Sequence, residues 1–159
     1  MKLVKALIWT LLLSGLAVML LGSLRGGPLK ENVLTPPLQA PDLQGKMHSL
    51  ASMRGKPVVL YFWATWCNAC KLTSPTVDRY AADHPEVQVL GIAMDEKEAV
   101  RAYTLENTRS YPIVPMTEPI SRAWPVRSLP TTMILDTAGR LVWQRVGVLL
   151  PFELEMHAP

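Results

Sequence analysis

The longest apolar run of the chain lies at its N-terminal end, where residues 6–24 are 19 uncharged residues in succession. A helix needs about 20 such residues to cross the hydrocarbon core of a bilayer. Lys2 and Lys5 precede the run, which favours a cytoplasmic N-terminus and a domain on the other side of the membrane. A cleaved secretory signal is the competing interpretation, but the run is long for one and no small-x-small cleavage site follows it. We predict an uncleaved anchor over residues 1–24, and either interpretation exports the domain.

Residues 25–40 separate this run from the rest of the chain. They contain several glycines and prolines and show no hydrophobic period, which is typical of a linker. A chain of 159 residues has room for one compact domain with an appendage, and not for two full domains. We therefore predict a linker over 25–40 and a single domain over 41–159.

Short apolar runs alternate with helical patterns in the predicted domain. Residues 58–63 are a continuous run of β-branched and aromatic side chains, typical of a strand buried on both faces. Residues 68–83 predict a helix that Pro75 bends. The other predicted elements are a hairpin around Gln44-Gly45, a strand over 87–94, a helix that begins with acidic residues at 95, a short strand over 111–116, a short helix over 118–124, and a hairpin whose strands, 131–136 and 140–146, flank residues 137–139. This order predicts an α/β domain whose mixed central sheet, flanked by helices, has a parallel half and an antiparallel half.

The net charge of +3 belongs to the N-terminal end of the chain. From Glu31 onward 12 basic residues face 13 acidic ones, so the predicted domain is close to neutral. No basic patch interleaved with aromatic residues and no phosphate-binding glycine loop is present. We therefore expect no nucleic acid partner, and we assign the basic excess to the membrane end.

Cys67 and Cys70 are the only cysteines of the chain, and they lie between the predicted strand 58–63 and the predicted helix 68–83. A thiolate at the N-terminus of a helix faces unpaired backbone N–H groups and the positive end of the helix dipole, which lower the pKa of the thiol. We expect Cys67 to be the exposed nucleophile and Cys70, one turn inside the helix, to resolve the mixed disulfide. Trp66 precedes the nucleophile and is expected to form an apolar rim for docking.

Two cysteines can also serve as a structural bridge, as part of a zinc site or as a copper(I) site. A purely structural bridge would close a very short loop, so it would stabilise the fold little. A zinc site needs two more ligands, and none of His48, His84 and His157 is spaced as a partner motif, so no metal ligands are predicted. A copper(I) site is harder to exclude, because two thiolates suffice for that soft ion. A copper(I)-handling protein is therefore the alternative to a redox enzyme.

The residues around the cysteines resemble a known family. The stretch 55–67 (GKPVVLYFWATWC), followed by Pro75 and later by 129–132 (LPTT), resembles the membrane-anchored thioredoxin-like proteins of bacteria, which include the TlpA, ResA and DsbE/CcmG types. The resemblance runs from about residue 41 to residue 147. It is greatest to the suppressor-of-copper-sensitivity ScsD type, through the phrase at 61–67 and the hydroxyl-rich turn at 73–75.

The resemblance implies a thioredoxin-like fold and a thiol–disulfide oxidoreductase that needs no cofactor beyond its own Cys67–Cys70 disulfide. It implies that Pro130 is a cis-proline beside the cysteines and that Leu129, Pro130 and Thr131 bind an extended segment of the substrate, together with Trp66. The implied location is the bacterial inner membrane, with one span and the domain in the periplasm. The implied partners are proteins that carry dithiols or disulfides, and a transmembrane thiol electron donor of the DsbD/ScsB kind. In an oxidising compartment we expect such a protein to act as a reductant or an electron relay.

Two positions depart from the patterns of related families. Cytochrome-maturation members often have a glutamate three residues after the second cysteine, where this chain has Thr73. Cytosolic thioredoxins have a buried aspartate six residues before the first cysteine, where this chain has Tyr61. Both carboxylates handle protons near the buried thiol, so we expect water, a backbone group or the substrate to take that part here.

Overall fold

A computed structural model describes residues 32–158, which fold around a five-stranded sheet. The strands are β1 (Gln39–Pro41), β2 (Met47–Ser49), β3 (Val58–Trp63), β4 (Gln88–Ala93), β5 (Ile113–Pro115), β6 (Thr131–Leu135) and β7 (Leu141–Val146). The helices are α1 (Asn68–Asp83), α2 (Lys97–Glu106), α3 (Glu118–Ala123) and α4 (Pro151–His157). The order of strands in the sheet is β5-β4-β3-β6-β7, and β1 pairs with β2 in a separate hairpin.

The central strand β3 has a parallel neighbour on one side and an antiparallel neighbour on the other. It runs parallel to β4, with Trp63 opposite Ala93, and antiparallel to β6, with Phe62 opposite Thr131. Parallel strands end at the same edge of a sheet, and an antiparallel neighbour begins there. The residues that follow β3, those that follow β4 and those that precede β6 therefore meet at one edge. The two cysteines lie at this edge.

Strand β3 contributes to two hydrophobic cores because its side chains point alternately to opposite faces. Val59, Tyr61 and Trp63 lie in one core, with side chains from α1, α2 and α4. Val58, Leu60 and Phe62 lie in the other core, with side chains from α3 and from the first hairpin. All six side chains are buried, as the continuous apolar run predicts.

The packed region begins upstream of residue 41. Leu38 and Ala40 are buried in the core beneath α3, and Leu34 forms an isolated bridge with Arg140. The predicted boundary between linker and domain therefore falls inside β1, and it must be moved toward the N-terminus. Pro36 and Pro37 mark an irregular backbone that is nevertheless packed on the sheet, because Leu38 and Ala40 fill the core.

The seven strands and helices α1 to α3 agree with the sequence pattern in number and order, and α4 is a further helix that the pattern does not predict. The strand over 58–63 and the helix over 68–83 have the predicted bounds, and the mixed central sheet is confirmed. The predicted anchor, residues 1–24, lies outside the described residues. Within residues 32–158 no helix is long and apolar enough to span a bilayer.

Candidate functional site

Cys67 and Cys70 are joined by a disulfide at the N-terminus of α1, with their Cα atoms 5.2 Å apart. Cys67 is the N-cap residue of this helix, and its Sγ accepts a hydrogen bond from the backbone N–H of Cys70 at 3.1 Å. The carbonyl oxygen of Cys67 also accepts from the N–H groups of Cys70 and Lys71. Donors directed at Sγ stabilise negative charge on that sulfur. The arrangement therefore favours Cys67 over Cys70 as the thiolate of the reduced pair.

The two sulfurs differ in their access to solvent. Cys67 is 7% exposed and Cys70 is 1% exposed. The order agrees with the assignment of Cys67 as the outer cysteine, although the outer cysteine is more shielded than the sequence predicts. Trp66, directly before it, is 68% exposed, whereas Trp63 is buried in the core, and the docking role of Trp66 stays a prediction.

The loop that leads into β6 lies beside the cysteines. The Leu129–Pro130 peptide bond is cis, and Pro130 is buried. Because Thr131 pairs with Phe62, Pro130 lies at the end of β3 from which the chain continues to Cys67. Leu129 is half-buried and packs against the core that contains both cysteines. The structure thus brings Leu129, Pro130 and Thr131 to the edge of the sheet that carries the disulfide, and their contact with a substrate stays a prediction.

The loop is held by two hydrogen bonds. The hydroxyl of Thr131 donates to the carbonyl oxygen of Ser128 at 2.7 Å. The backbone N–H of Gly147 donates to the carbonyl oxygen of Pro130 at 2.8 Å. The second bond connects the loop to the segment that follows β7. Thr131 is therefore buried and engaged within its own loop, so in this conformation its side chain holds the loop in place.

Asp95 is a residue of the site that the sequence reasoning missed. It follows β4, and its Oδ2 accepts a hydrogen bond from the backbone N–H of Thr65 at 2.7 Å. In the sequence, Asp95 stands only as an acidic residue at the start of a predicted helix. Parallel pairing of β3 with β4 is the signal that could have indicated Asp95, because it places the residues after both strands at one edge of the sheet. Asp95 anchors the turn that carries Trp66 and Cys67.

Tyr61 and Ser74 lie beneath Cys70, on the side away from solvent. The phenol O–H of Tyr61 is 3.0 Å from the carbonyl oxygen of Cys70, and the hydroxyl of Ser74 is 2.9 Å from the same oxygen. The two hydroxyl oxygens are 3.2 Å apart. Burial raises the pKa of Tyr61 to about 12 and outweighs the opposing hydrogen bond from Ser74. Tyr61 is therefore protonated, and neutral, over the pH range in which thiols react.

Thr73 has a structural contact where related proteins often have a carboxylate. Its hydroxyl donates to the carbonyl oxygen of Ala69 at 3.1 Å, and its oxygen accepts from the backbone N–H of Leu149 at 3.3 Å. The hydroxyl thereby satisfies a buried N–H group of the segment between β7 and α4. Thr73 connects the active-site helix to this segment. Its hydroxyl cannot take up a proton as a carboxylate at this position would.

The geometry supports disulfide exchange. Two sulfurs at bonding distance, one of them facing backbone N–H groups at a helix N-terminus, can open to a dithiol and close again. Residues 32–158 contain no group of three or more His, Cys, Asp or Glu that could hold a metal ion. The fold and the cysteine pair define a thiol–disulfide oxidoreductase of thioredoxin-like architecture.

Comparison with known proteins identifies the family. The AhpC/TSA family profile matches residues 33–144, so the chain belongs to the AhpC/TSA family. The thioredoxin-like protein YneN of Bacillus subtilis is 32% identical over 132 residues, which cover 80% of this chain and 78% of YneN. The thiol-disulfide oxidoreductase ResA of Bacillus anthracis is 31% identical over 118 residues, 72% of this chain and 68% of ResA.

A solved structure agrees with the fold. The crystal structure of a thiol:disulfide interchange protein of the thioredoxin family from Chlorobium tepidum superposes with a TM-score of 0.72 and 22% identity. The match covers 82% of this chain and 95% of that protein. At this identity the likeness establishes the architecture. The thiol–disulfide oxidoreductase activity is assigned through the named relatives and the cysteine pair.

Proposed function

We propose that the protein is a membrane-anchored, periplasm-facing thiol–disulfide oxidoreductase of the ScsD type. It reduces the disulfides of protein partners or relays electrons to them. The observation that carries this proposal is the Cys67–Cys70 disulfide at the start of α1, with the exposed Trp66 beside it. The apolar residues 6–24 provide the anchor, and the lysines before them set the orientation. A transmembrane thiol protein of the DsbD/ScsB kind returns the pair to the dithiol.

Each cysteine has one part in the reaction. The Cys67 thiolate attacks a partner disulfide, which forms a Cys67–partner disulfide and releases one partner sulfur as a thiolate. The Cys70 thiolate then attacks the sulfur of Cys67, which forms the Cys67–Cys70 disulfide and releases the second partner sulfur. Two electrons pass to the partner, and the two protons lost by the cysteines reappear on the partner's thiols.

The surface beside the disulfide receives the partner in this proposal. Trp66 supplies the apolar contact, and Leu129, Pro130 and Thr131 offer backbone groups to an extended chain, as the family resemblance implies. The direction of electron flow follows from the compartment. Disulfides form by default in the periplasm, whereas their reduction there needs a source of electrons. We therefore assign an anchored protein of this class the role of supplying electrons.

The trapping variant Cys70→Ser tests the proposal in cells. It leaves Cys67 without a resolving thiol, so mixed disulfides through Cys67 accumulate and can be identified by mass spectrometry. Cys67→Ser is the matched control and captures no partner. Loss of copper(I) affinity in Cys70→Ser, with no captured protein, would instead support the copper-handling alternative.

Two measurements test direction and location. Alkylation of free thiols in intact cells gives the redox state of the pair, and we expect it to be mainly reduced. A mainly oxidised pair contradicts the role as a reductant. The anchor predicts a mature protein that starts at the natural N-terminus, fractionates with the inner membrane and is degraded by protease added to spheroplasts. A mature N-terminus near residue 23 contradicts the anchor.

A further inference from the structure

The carbonyl oxygen of Cys70, in α1, accepts hydrogen bonds from two side-chain hydroxyls. Tyr61 reaches it from β3, and Ser74 reaches it from the next turn of the same helix. Cys70, Tyr61 and Ser74 are all buried. Ser74 makes the hydrogen bond of a helical hydroxyl to the carbonyl four residues earlier, so Tyr61 is the donor that comes from outside the helix.

Pro75 explains why the helix has room for this arrangement. Proline lacks an N–H group, so the carbonyl of Lys71 loses its partner four residues later, and the ring pushes the preceding turn aside. The missing backbone hydrogen bond loosens the turn that contains Cys70. The phenol of Tyr61 attaches this turn to β3, whereas the hydroxyl of Ser74 binds within the helix itself.

Within the described part of the chain, no carboxylate is among the groups that act on the Tyr61 phenol. The ionisable groups that act on the phenol are the Arg109 guanidinium, the Tyr103 hydroxyl on α2, and Tyr111 behind it. The carboxylate of Asp78 acts on Tyr111 and is engaged by Ser110. On the Cys70 side the groups are Cys67 and the hydroxyl of Ser74. The contacts of the buried cysteine with this network are therefore hydrogen bonds between neutral groups.

We propose that Tyr61 is a positioning residue for Cys70, which holds the resolving cysteine in line with the sulfur of Cys67 through a neutral hydrogen bond to its carbonyl oxygen. This inference rests on the proposed function and assigns a part to a residue on the sheet, outside the cysteine motif. In the resolving step the Cys70 sulfur bonds to the Cys67 sulfur, and the partner sulfur leaves and takes up the proton that Cys70 lost. Tyr61 exchanges no proton in this step and fixes the geometry from which it occurs.

A two-phase thiol titration of the reduced full-length protein tests the inference. The probe is 5,5′-dithiobis(2-nitrobenzoate): attack by Cys67 releases one nitrothiobenzoate, and attack by Cys70 on the resulting mixed disulfide releases the second. A single hydrogen bond contributes about 0.5–1.5 kcal/mol, which corresponds to about two- to tenfold in rate. We expect Tyr61→Phe to slow the second release by this factor and to leave the first unchanged.

Tyr111→Phe is the matched control. It removes a buried phenol hydroxyl from the same core that makes no hydrogen bond to the Cys70 carbonyl oxygen, and we expect neither phase to change. Ser74→Ala removes the second donor to the Cys70 carbonyl and is expected to slow the second phase as well. It keeps the test decisive should Tyr61→Phe unfold.

The pH profile of the second phase separates positioning from proton transfer. Because Tyr61 is neutral at every pH of the assay, Tyr61→Phe lowers the rate by one constant factor and leaves the midpoint of the profile in place. A shifted midpoint, equal slowing of both phases, or an unchanged second phase overturns the inference. A wild-type protein that releases no second nitrothiobenzoate overturns the proposed function along with it, whereas normal cycling with an unaffected Tyr61→Phe overturns this inference alone.

Discussion

The carboxylate of Asp95 accepts a hydrogen bond from the backbone N–H of Thr65 at 2.7 Å, across the edge where β3 and β4 end. Thr65 lies two residues before Cys67, in the turn that also contains Trp66. A charged acceptor on a backbone N–H is among the stronger hydrogen bonds in proteins. The position of the outer cysteine therefore depends on a residue 28 positions later in the sequence.

Replacing Asp95 by alanine is expected to loosen this turn. Hydrogen bonds to charged groups contribute about 1.5–3 kcal/mol, and we expect Asp95→Ala to lower the free energy of unfolding by about that amount. Amide hydrogen exchange at Thr65 should become faster in the same variant. Glu96→Ala is the control, because Glu96 makes no side-chain capping bond to α2. Equal effects of the two substitutions would contradict the assignment.

The exposed indole of Trp66 predicts a difference between protein and small-molecule substrates. Removing an aromatic anchor from the centre of an interface costs more than about 1 kcal/mol, or about fivefold in affinity. We expect Trp66→Ala to lower kcat/KM for a disulfide-containing protein at least fivefold and to change the rate with 5,5′-dithiobis(2-nitrobenzoate) little. Leu105→Ala removes a side chain that is 83% exposed on α2 and should affect neither rate. A loss confined to the small disulfide would show that the indole tunes the sulfur and does not dock the partner.

The hydroxyl of Thr73 predicts a coupling between α1 and the segment before α4. Thr73→Val keeps the shape of the side chain and removes the acceptor of the Leu149 N–H group, leaving that buried donor unpaired. An unsatisfied buried donor costs about 1–3 kcal/mol, which is the expected loss in the free energy of unfolding. Thr76→Val on the same helix is the comparison, since Thr76 is only partly buried. Unchanged stability of Thr73→Val would contradict the coupling.

The elements of this fold that could be predicted from the sequence are those whose signal is local. The run at 58–63 specifies β3 because every side chain is apolar and both faces of the strand are buried. The start of α1 follows from its position after that strand, and the helix continues through Pro75 to Asp83. Hairpin β6–β7 is indicated by the turn at 137–139.

The parts that could not be predicted depend on pairing between distant segments. The contacts of Asp95 with Thr65 and of Thr73 with Leu149 join residues 30 and 76 positions apart. Nothing in the local pattern of either pair indicates its partner. The start of the domain was missed for a related reason. Pro36 and Pro37 interrupt the hydrophobic periodicity of this stretch. The buried Leu38 beside them packs against its core neighbours only when the sheet has formed.

Asp42 gives the first hairpin an acid-sensitive contribution to stability. It is buried, its Oδ2 lies 2.8 Å from Nε2 of His48, and its Oδ1 accepts from the backbone N–H groups of Gln44 and Lys46. Burial raises the pKa of this carboxyl, but the hydrogen bond with His48 and the two N–H groups together outweigh it, so the pKa lies below its ordinary value of 3.8.

A lowered pKa in the folded state stabilises the fold above the unfolded value and loses that effect as the pH falls through the folded value. Asp42→Asn keeps an oxygen acceptor for the turn and removes the charge facing His48. We expect the variant to be less stable than the wild type at neutral pH, and the difference to shrink as the pH falls below 3.8. Urea unfolding between pH 7 and pH 2.5 measures it.

The matched control for this prediction is Asp136→Asn. The Oδ1 of Asp136 also accepts two backbone N–H groups, those of Ala138 and Arg140, in the turn between β6 and β7. Among the described residues Asp136 contacts no histidine, so the comparison isolates the pairing of Asp42 with His48 from turn capping alone. A gap between wild type and Asp42→Asn that stays constant down to the lowest pH would show that the gap does not come from the charge of Asp42. In that case His48 would contribute packing and not charge.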